Sequence, residues 1–218
     1  MLGTLYIIGT PIGNMEDFSY RATRLLKEVD VIAAEDTRHT KKLLTHYQID
    51  TRLTSYHDFN KEEKTQVLIS MLKEGKSVAL VADAGTPTIS DPGYFLIHQA
   101  GLNGIPISPI PGPTALIAAL SISGLPTDRF AFEGFLPRKK GARTKRLMAL
   151  VSDSRTLIFF ESPHRIIATL EEIEVIFGKR QVVLCREMTK KFEEIVRGDV
   201  ADILKEWKSK KILGEITL

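Results

Sequence analysis

Short apolar runs alternate along the chain with segments whose apolar positions recur every three or four residues. Leu5-Tyr6-Ile7-Ile8 predicts a strand that runs into a Gly/Pro loop, and Ser19 is placed to cap a helix reaching about Lys27. Val31-Ile32-Ala33-Ala34 predicts a second strand, followed by Glu35-Asp36-Thr37-Arg38 and a basic helix from about Thr40 to His46. Asn60 is expected to cap a longer helix with Val67, Leu68, Met71 and Leu72 on one face. Val78 to Val81 is a further strand, opening into the Asp83 to Gly93 loop. Another helix and short strand lead to Pro111-Gly112-Pro113, and Thr114 to Ile122 reads as a buried helix. Later strands are predicted at Phe130–Phe135, Thr156–Phe160, Gln181–Cys185, Glu194–Val196 and Ile212–Leu218, with helices near 141–151, 164–177 and 199–209.

Strand and helix in alternation predict an α/β fold with parallel strands. Gly124-Leu125-Pro126-Thr127-Asp128 offers a break, giving domains at 1–124 and 125–218, the second with more antiparallel pairing. A chain of 218 residues has room for two such cores. With 43% hydrophobic and 26% charged residues, disordered, collagenous and coiled-coil chains are excluded. Cys185 alone rules out an intramolecular disulfide framework and a cysteine-based zinc site, and fits a reducing cytoplasm. No secretory signal and no apolar run near membrane-spanning length is visible, so a soluble cytoplasmic protein is expected.

The formal charge of +3 hides an asymmetry. Residues 1–127 hold 11 basic and 13 acidic side chains, whereas residues 128–218 hold 19 and 14. Arg138, Lys139, Lys140, Arg143, Lys145 and Arg146 form one dense cluster without an acid, which reads either as a phosphate-contacting patch or as a solvated loop and helix start.

Three Gly/Pro-rich loops follow predicted strands: Gly9-Thr10-Pro11-Ile12-Gly13-Asn14, Asp83 to Gly93, and Pro111-Gly112-Pro113-Thr114-Ala115. Ligands of open α/β sheets bind beyond the carboxyl ends of strands, and glycine lets backbone groups approach them. Any one such loop is also explained as a turn; three at strand ends favour a site read through main-chain contacts. There is no P-loop, no G-x-G-x-x-G, no H-E-x-x-H and no G-x-S-x-G, which disfavours an ATPase, a dehydrogenase, a metalloprotease and an α/β-hydrolase. The five histidines show no metal spacing, and no metal is expected.

Together with Ala33-Ala34-Glu35-Asp36-Thr37-Arg38, Gly134-Phe135-Leu136-Pro137 and Phe160-Glu161-Ser162-Pro163-His164-Arg165, these loops resemble the signature segments of the small-subunit ribosomal RNA 2′-O-methyltransferase I family. The likeness spans nearly the whole chain. It implies the tetrapyrrole methylase fold, with two α/β domains, S-adenosylmethionine in the cleft between them, no metal, and a homodimer. The implied activity is methylation of a cytidine ribose in the decoding centre of small-subunit ribosomal RNA. The implied cofactor residues are Pro11, Asp83, Ala84, Gly85, Thr86, Ile89, Thr114 and Ala115, joined by Phe160, Glu161 and Ser162, with the adenine pocket completed near Met188 and the Gly214-Glu215 segment.

Methyl transfer from a sulfonium is an in-line displacement, so the chief demand is alignment, worth about 7–11 kcal/mol in the best cases. A proton acceptor for the 2′-hydroxyl adds about 10²–10⁴-fold. Glu35, Asp36, Glu133, Glu161 and His164 are the candidates, with Arg38 holding a phosphate or a carboxylate. The alternative is that Asp36 and Arg38 form a structural pair capping the next helix, and that His164 and Arg165 are likewise structural. In the family context the 138–146 cluster is assigned to RNA phosphates, with the target nucleotide turned out of its stack. Two other readings stay open: a tetrapyrrole C-methyltransferase on the same fold, and a non-catalytic RNA-binding assembly factor. Because the predicted last strand stops without a turn or cap, and family members continue past it, a chain truncated at its carboxyl-terminal end is expected.

Overall fold

The computed structural model describes residues 1–218. Packing divides the chain into two units, Met1–Thr114 and Ala115–Leu218.

The first unit contains β1 (Leu5–Ile8), α1 (Tyr20–Glu28), β2 (Val31–Ala34), α2 (Thr37–His46), β3 (Leu53–Ser55), α3 (Lys61–Lys73), β4 (Val78–Val81), α4 (Tyr94–Leu102) and β5 (Ile107–Ile110). Its sheet has the order β3-β2-β4-β1-β5, and every pairing is parallel. Successive side chains alternate between two cores, as the strand period requires. Ile8, Ile32 and Val81 pack with Leu25 and Leu26 of α1 and Leu43 and Leu44 of α2. Leu5, Val31 and Leu80 pack with Leu68 and Leu72 of α3 and Leu96 of α4. Both faces being covered explains the uninterrupted apolar strands. The register sets Ile8 level with Val81 and Ile110, and Ala34 level with Val81 and Ser55. All five strands therefore release their loops at one edge.

The second unit contains α5 (Ala115–Ser123), β6 (Phe130–Phe135), α6 (Lys140–Leu150), β7 (Thr156–Glu161), α7 (Ile166–Phe177), β8 (Gln181–Arg186), β9 (Glu194–Asp199), α8 (Val200–Trp207) and β10 (Ile216–Thr217). The sheet order is β6-β7-β10-β8-β9, and only β6 and β7 pair in parallel. Leu147, Leu170, Leu204 and the fully buried Trp207 fill one face. Leu116 and Leu120 of α5 pack on Ile158 at the other. That packing draws α5 into the second unit, so the division falls after Thr114, ahead of the Gly124 break expected from composition.

Four local differences from the sequence reading have simple causes. β3 was not expected, because Leu53-Thr54-Ser55 is short and half polar; pairing with β2 makes it a strand. α2 starts at Thr37, earlier than Thr40, because Asp36 accepts the Arg38 N–H and caps it. On α3 the buried positions are Thr65, Leu68, Ile69 and Leu72, while Val67 is exposed, and the Asn60 side chain turns back to accept the His57 N–H. The last strand shrinks to two residues because Gly214 takes φ +91. No helix is long and apolar enough to cross a membrane.

Candidate functional site

The loops that leave the carboxyl edge of the first sheet are tied to each other by backbone. Thr10 and Gly85 exchange both amide–carbonyl bonds, at 2.9 and 3.0 Å. The buried Thr10 hydroxyl donates to the carbonyls of Ala82 (3.1 Å) and Gly85 (3.3 Å). Thr86 Oγ1 donates to the Pro113 carbonyl at 3.3 Å. Gly9 and Gly112 touch so closely that a Cβ on Gly9 lies 2.9 Å from the Gly112 Cα, under real contact distance. Gly85 takes φ +85, a conformation that strains any side chain. Thr88 and Ser90 also sit in the left-handed region, at φ 75 and 64. Such strain survives only where surrounding contacts over-determine it, and it gathers at ligand sites.

Pro11, Asp83, Ala84, Gly85, Thr86 and Ile89 are thus brought to one place, with Ala84 and Ile89 facing solvent. Thr114 ends the unit, half-buried. Thr10 and the Gly9–Gly112 contact escaped the sequence reading, because their role is to hold loops and only the fold shows which loops meet.

The same edge concentrates carboxylates. Glu35 leaves β2 half-buried, and burial followed by the negative charge of Asp83 and Asp58 raises its pKa. The Asp83 carboxylate accepts the Asp36 N–H at 3.0 Å. Asp91, half-buried, is pushed up to about 7 by burial first, then by Glu35 and Asp83. Asp91 stands inside the Asp83 to Gly93 loop without a role read from the sequence; of the carboxylates beside it Asp83 belongs to the same loop, but Glu35 follows a different strand, β2. Asp36 is the opposite case. Arg38 bonds its carboxylate through Nε (3.2 Å) and Nη2 (2.9 Å) and holds it down to about 2. The structural alternative therefore holds for this pair: Asp36 caps α2 and is a poor proton acceptor at neutral pH.

Asp91 gives a pH prediction. An unfolded aspartate titrates near ~4. Between about pH 4 and 7 the folded chain keeps a proton that the unfolded chain has lost, so this group makes stability fall as pH rises through that window. Asp91→Asn is expected to melt above the wild type at pH 8, with the gap closing toward pH 4. Thermal melts across that range check it, and a gap independent of pH contradicts it.

In the second unit, Ala115 packs in one cluster with Ala119, Val183, Cys185 and Met188, so two of the expected cofactor residues meet. Met188 is held between two left-handed residues, Glu187 (φ 51) and Thr189 (φ 66). The Glu187 N–H donates to the Glu215 carbonyl at 2.9 Å, and Lys190 bridges the carboxylates of Glu187 and Glu215. Phe160 lies in an aromatic group, with ring centroids 4.8 Å from Phe132 and 5.6 Å from Phe135.

Several residue assignments are corrected by burial and pairing. Glu161 has a fully buried side chain that accepts from the Ser162 N–H (2.7 Å) and Thr169 Oγ1 (2.7 Å) and pairs with Arg165 at 2.5 Å. It clamps the start of α7 and has no free oxygen to take a proton or hold a ligand. The Ser162 hydroxyl accepts the N–H of the exposed His164 at 3.3 Å. Glu133 is engaged by Arg146, whose Nε donates at 2.8 Å. Arg143 is 6% exposed and donates to Glu172 at 2.6 Å; it belongs to the core face of α6 and is withdrawn from any RNA surface. Arg138, Lys139, Lys140 and Lys145 remain exposed and outside any ion pair, while Arg146 is exposed but paired. A cavity of about 370 Å³ between β7 and β8, lined by Ile158, Val183, Cys185 and Leu218, contains none of the expected site residues.

Residues 4–204 match the family model of the tetrapyrrole (corrin/porphyrin) methylases. The chain is 52% identical over 99% of its length to ribosomal RNA small subunit methyltransferase I of Halalkalibacterium halodurans, covering 75% of that protein. It is 48% identical over 100% of its length to the protein of the same name from Thermotoga maritima, covering 97% of it. Among solved structures, uroporphyrin-III C-methyltransferase of Thermus thermophilus, complexed with S-adenosylhomocysteine, superposes with TM-score 0.65 at 21% identity, over 99% of this chain and 96% of that one. At that identity the likeness concerns the fold alone.

Proposed function

The chain belongs to the tetrapyrrole methylase family and, within it, to the ribosomal RNA small subunit methyltransferase I proteins, and from that membership we propose that it methylates the ribose 2′-oxygen of a cytidine in small-subunit ribosomal RNA. It is an S-adenosylmethionine-dependent methyltransferase. The observation that carries the reading is the near-full-length identity with those relatives; the loop geometry supports it.

S-adenosylmethionine fits the residues present. Its sulfonium and amino group are cationic, and the loop edge gathers Glu35, Asp83 and Asp91, none of them held in an ion pair. The amide and carbonyl of Gly85 are taken up by Thr10, and this anchored turn presents the solvent-facing Ala84 beside it to a ligand. Pro11, Ala84, Gly85, Thr86 and Ile89 are the residues that would hold it. When bound, the cofactor would supply an electrophilic methyl carbon, with the neutral thioether of S-adenosylhomocysteine as its leaving group.

What the chain itself contributes is orientation and a place for a proton. The Thr10–Gly85 bridge and the Gly9–Gly112 contact fix the loops before any ligand arrives, so little ordering is left to be done in the complex. Glu35 and Asp91 are the carboxylates suited to take the 2′-hydroxyl proton, because each is raised toward the working pH. Asp36, held low by Arg38, is not. Arg38 keeps an exposed edge and is available to a phosphate.

We also infer a homodimer. Its support is the open edge of the first sheet, where Ile107 of β5 and Leu102 of α4 are exposed. The cytoplasm is the location that goes with a ribosomal substrate.

The test is incubation with labelled S-adenosylmethionine and either small ribosomal subunits, free small-subunit RNA or uroporphyrinogen. Label on a ribose oxygen is expected. Label on the macrocycle indicates the tetrapyrrole alternative, and cofactor binding without transfer indicates a non-catalytic assembly factor.

A further inference from the structure

Helix α2 carries cations that the chemistry of the loops leaves unused. Its inner positions Thr40, Leu43 and Leu44 are buried, the two leucines in the core of the first sheet. Burial of that stripe decides which face looks outward. The outward positions are Arg38, His39, Lys41, Lys42, Thr45 and His46, all exposed. No acidic residue occurs from Thr37 to Ile49, although the unit as a whole holds more acids than bases.

Elsewhere in this unit Arg24, Lys61 and Lys76 pair with Glu28, Asp58 and Glu74, and Arg21, Lys27, Arg52, Lys64 and Lys73 stand unpaired but scattered over other elements. Lys41 and Lys42 are in no ion pair, and Arg38 meets only Asp36. The helix begins two residues after Glu35, at the edge where the loops gather. From there it leads away, with Arg38 and the two lysines about one turn, ~5 Å, apart along the axis. The exposed face contains no apolar side chain. Protein interfaces need an apolar or aromatic centre, whereas phosphate contacts need only placed cations.

We propose that the outer face of α2 holds phosphates of the RNA strand that leads to the target ribose, with Lys41 and Lys42 as contacts. The proposal rests on the ribosomal RNA methyltransferase reading and adds a second phosphate-binding surface to the exposed lysines of the 138–146 segment. It joins RNA positioning to the unit that holds the loops, so strand and cofactor are oriented by one rigid sheet.

The experiment uses the full chain as Lys41→Gln/Lys42→Gln; glutamine keeps the helix propensity of lysine. A fluorescent fragment of unmethylated small-subunit RNA is titrated across a range of salt. The double variant is expected to bind about tenfold more weakly near ~0.1 M salt, with the slope of log affinity against log salt shallower by about 1.4, two single-strand contacts at roughly 0.7 each. Affinity for S-adenosylhomocysteine is expected to be unchanged. A matched variant, Lys61→Gln/Lys76→Gln, removes the same net charge from paired lysines and should keep the wild-type slope.

A Lys41/Lys42 variant with the wild-type slope, or one no different from the matched variant, overturns the proposal. If the wild type itself binds no RNA in a salt-dependent way and methylates none, the enzyme reading fails with it. Salt-dependent wild-type binding and ribose methylation, with no change in the variant, overturn this inference alone.

Discussion

Arg143→Met is expected to lower the stability of the second unit by about 3–5 kcal/mol, because it strands Glu172 as a buried charge without its partner. The Arg143 and Glu172 side chains are 7% and 11% exposed and meet at 2.6 Å, with Thr144 Oγ1 adding a bond to the same carboxylate at 3.2 Å. In a typical domain a loss of that size is a large part of the total stability. The partner variant Glu172→Gln should be destabilised for the same reason. Replacing both, as Arg143→Met/Glu172→Met, removes two desolvated charges at once and is expected to recover most of the loss. Lys139→Gln/Lys140→Gln, at exposed unpaired positions of the same segment, should melt like the wild type and weaken RNA binding instead. Denaturant unfolding beside RNA titration separates the two effects. An Arg143 variant of normal stability with weakened RNA binding would return this residue to the RNA surface.

Gly9→Ala is expected to remove measurable cofactor binding. The added Cβ meets the Gly112 backbone at 2.9 Å from Cα and 3.1 Å from N, and neither neighbour is the movable end of a side chain. β1 and β5 are fixed in register up to Ile8 and Ile110, so the misfit must be taken up in the loops that follow. A displacement approaching ~1 Å in a positioning element costs about 10²-fold. Strain of this kind also costs roughly 1–3 kcal/mol of stability. Gly101→Ala is the control. Gly101 lies in α4 with nothing within 4 Å of its new Cβ, and the change should stabilise the helix by about 1 kcal/mol without touching binding. Calorimetry with S-adenosylhomocysteine and melting curves on both variants check the pair. Normal affinity in Gly9→Ala would show that the Gly9–Gly112 contact does not position the site.

The loops were legible because their signal is local. Gly, Pro and Thr after an apolar run identify a strand end wherever the strand goes. Roles that depend on long-range pairing were not legible. Glu161 reads as a catalytic carboxylate until α7 brings Thr169 and Arg165 onto it. Arg143 sits in a basic run indistinguishable by composition from its neighbours, yet helical periodicity turns it inward with Leu147 and Leu150. Asp91 looks like one more loop residue until the fold buries it and brings Glu35 to it from the end of β2.

The chain's own order of apolar runs, turn residues and helix signals determined an α/β protein with parallel strands first and mixed strands later, and the motif segments were enough to indicate the family. Those are properties of short windows, where side-chain period and turn chemistry act within a few residues. Only the tertiary structure decided which carboxylates keep a reachable proton, which cations face solvent and which loops lock together. Each of those depends on residues distant in sequence meeting at one sheet edge or one helix face, where burial and pairing, not residue type, set the chemistry.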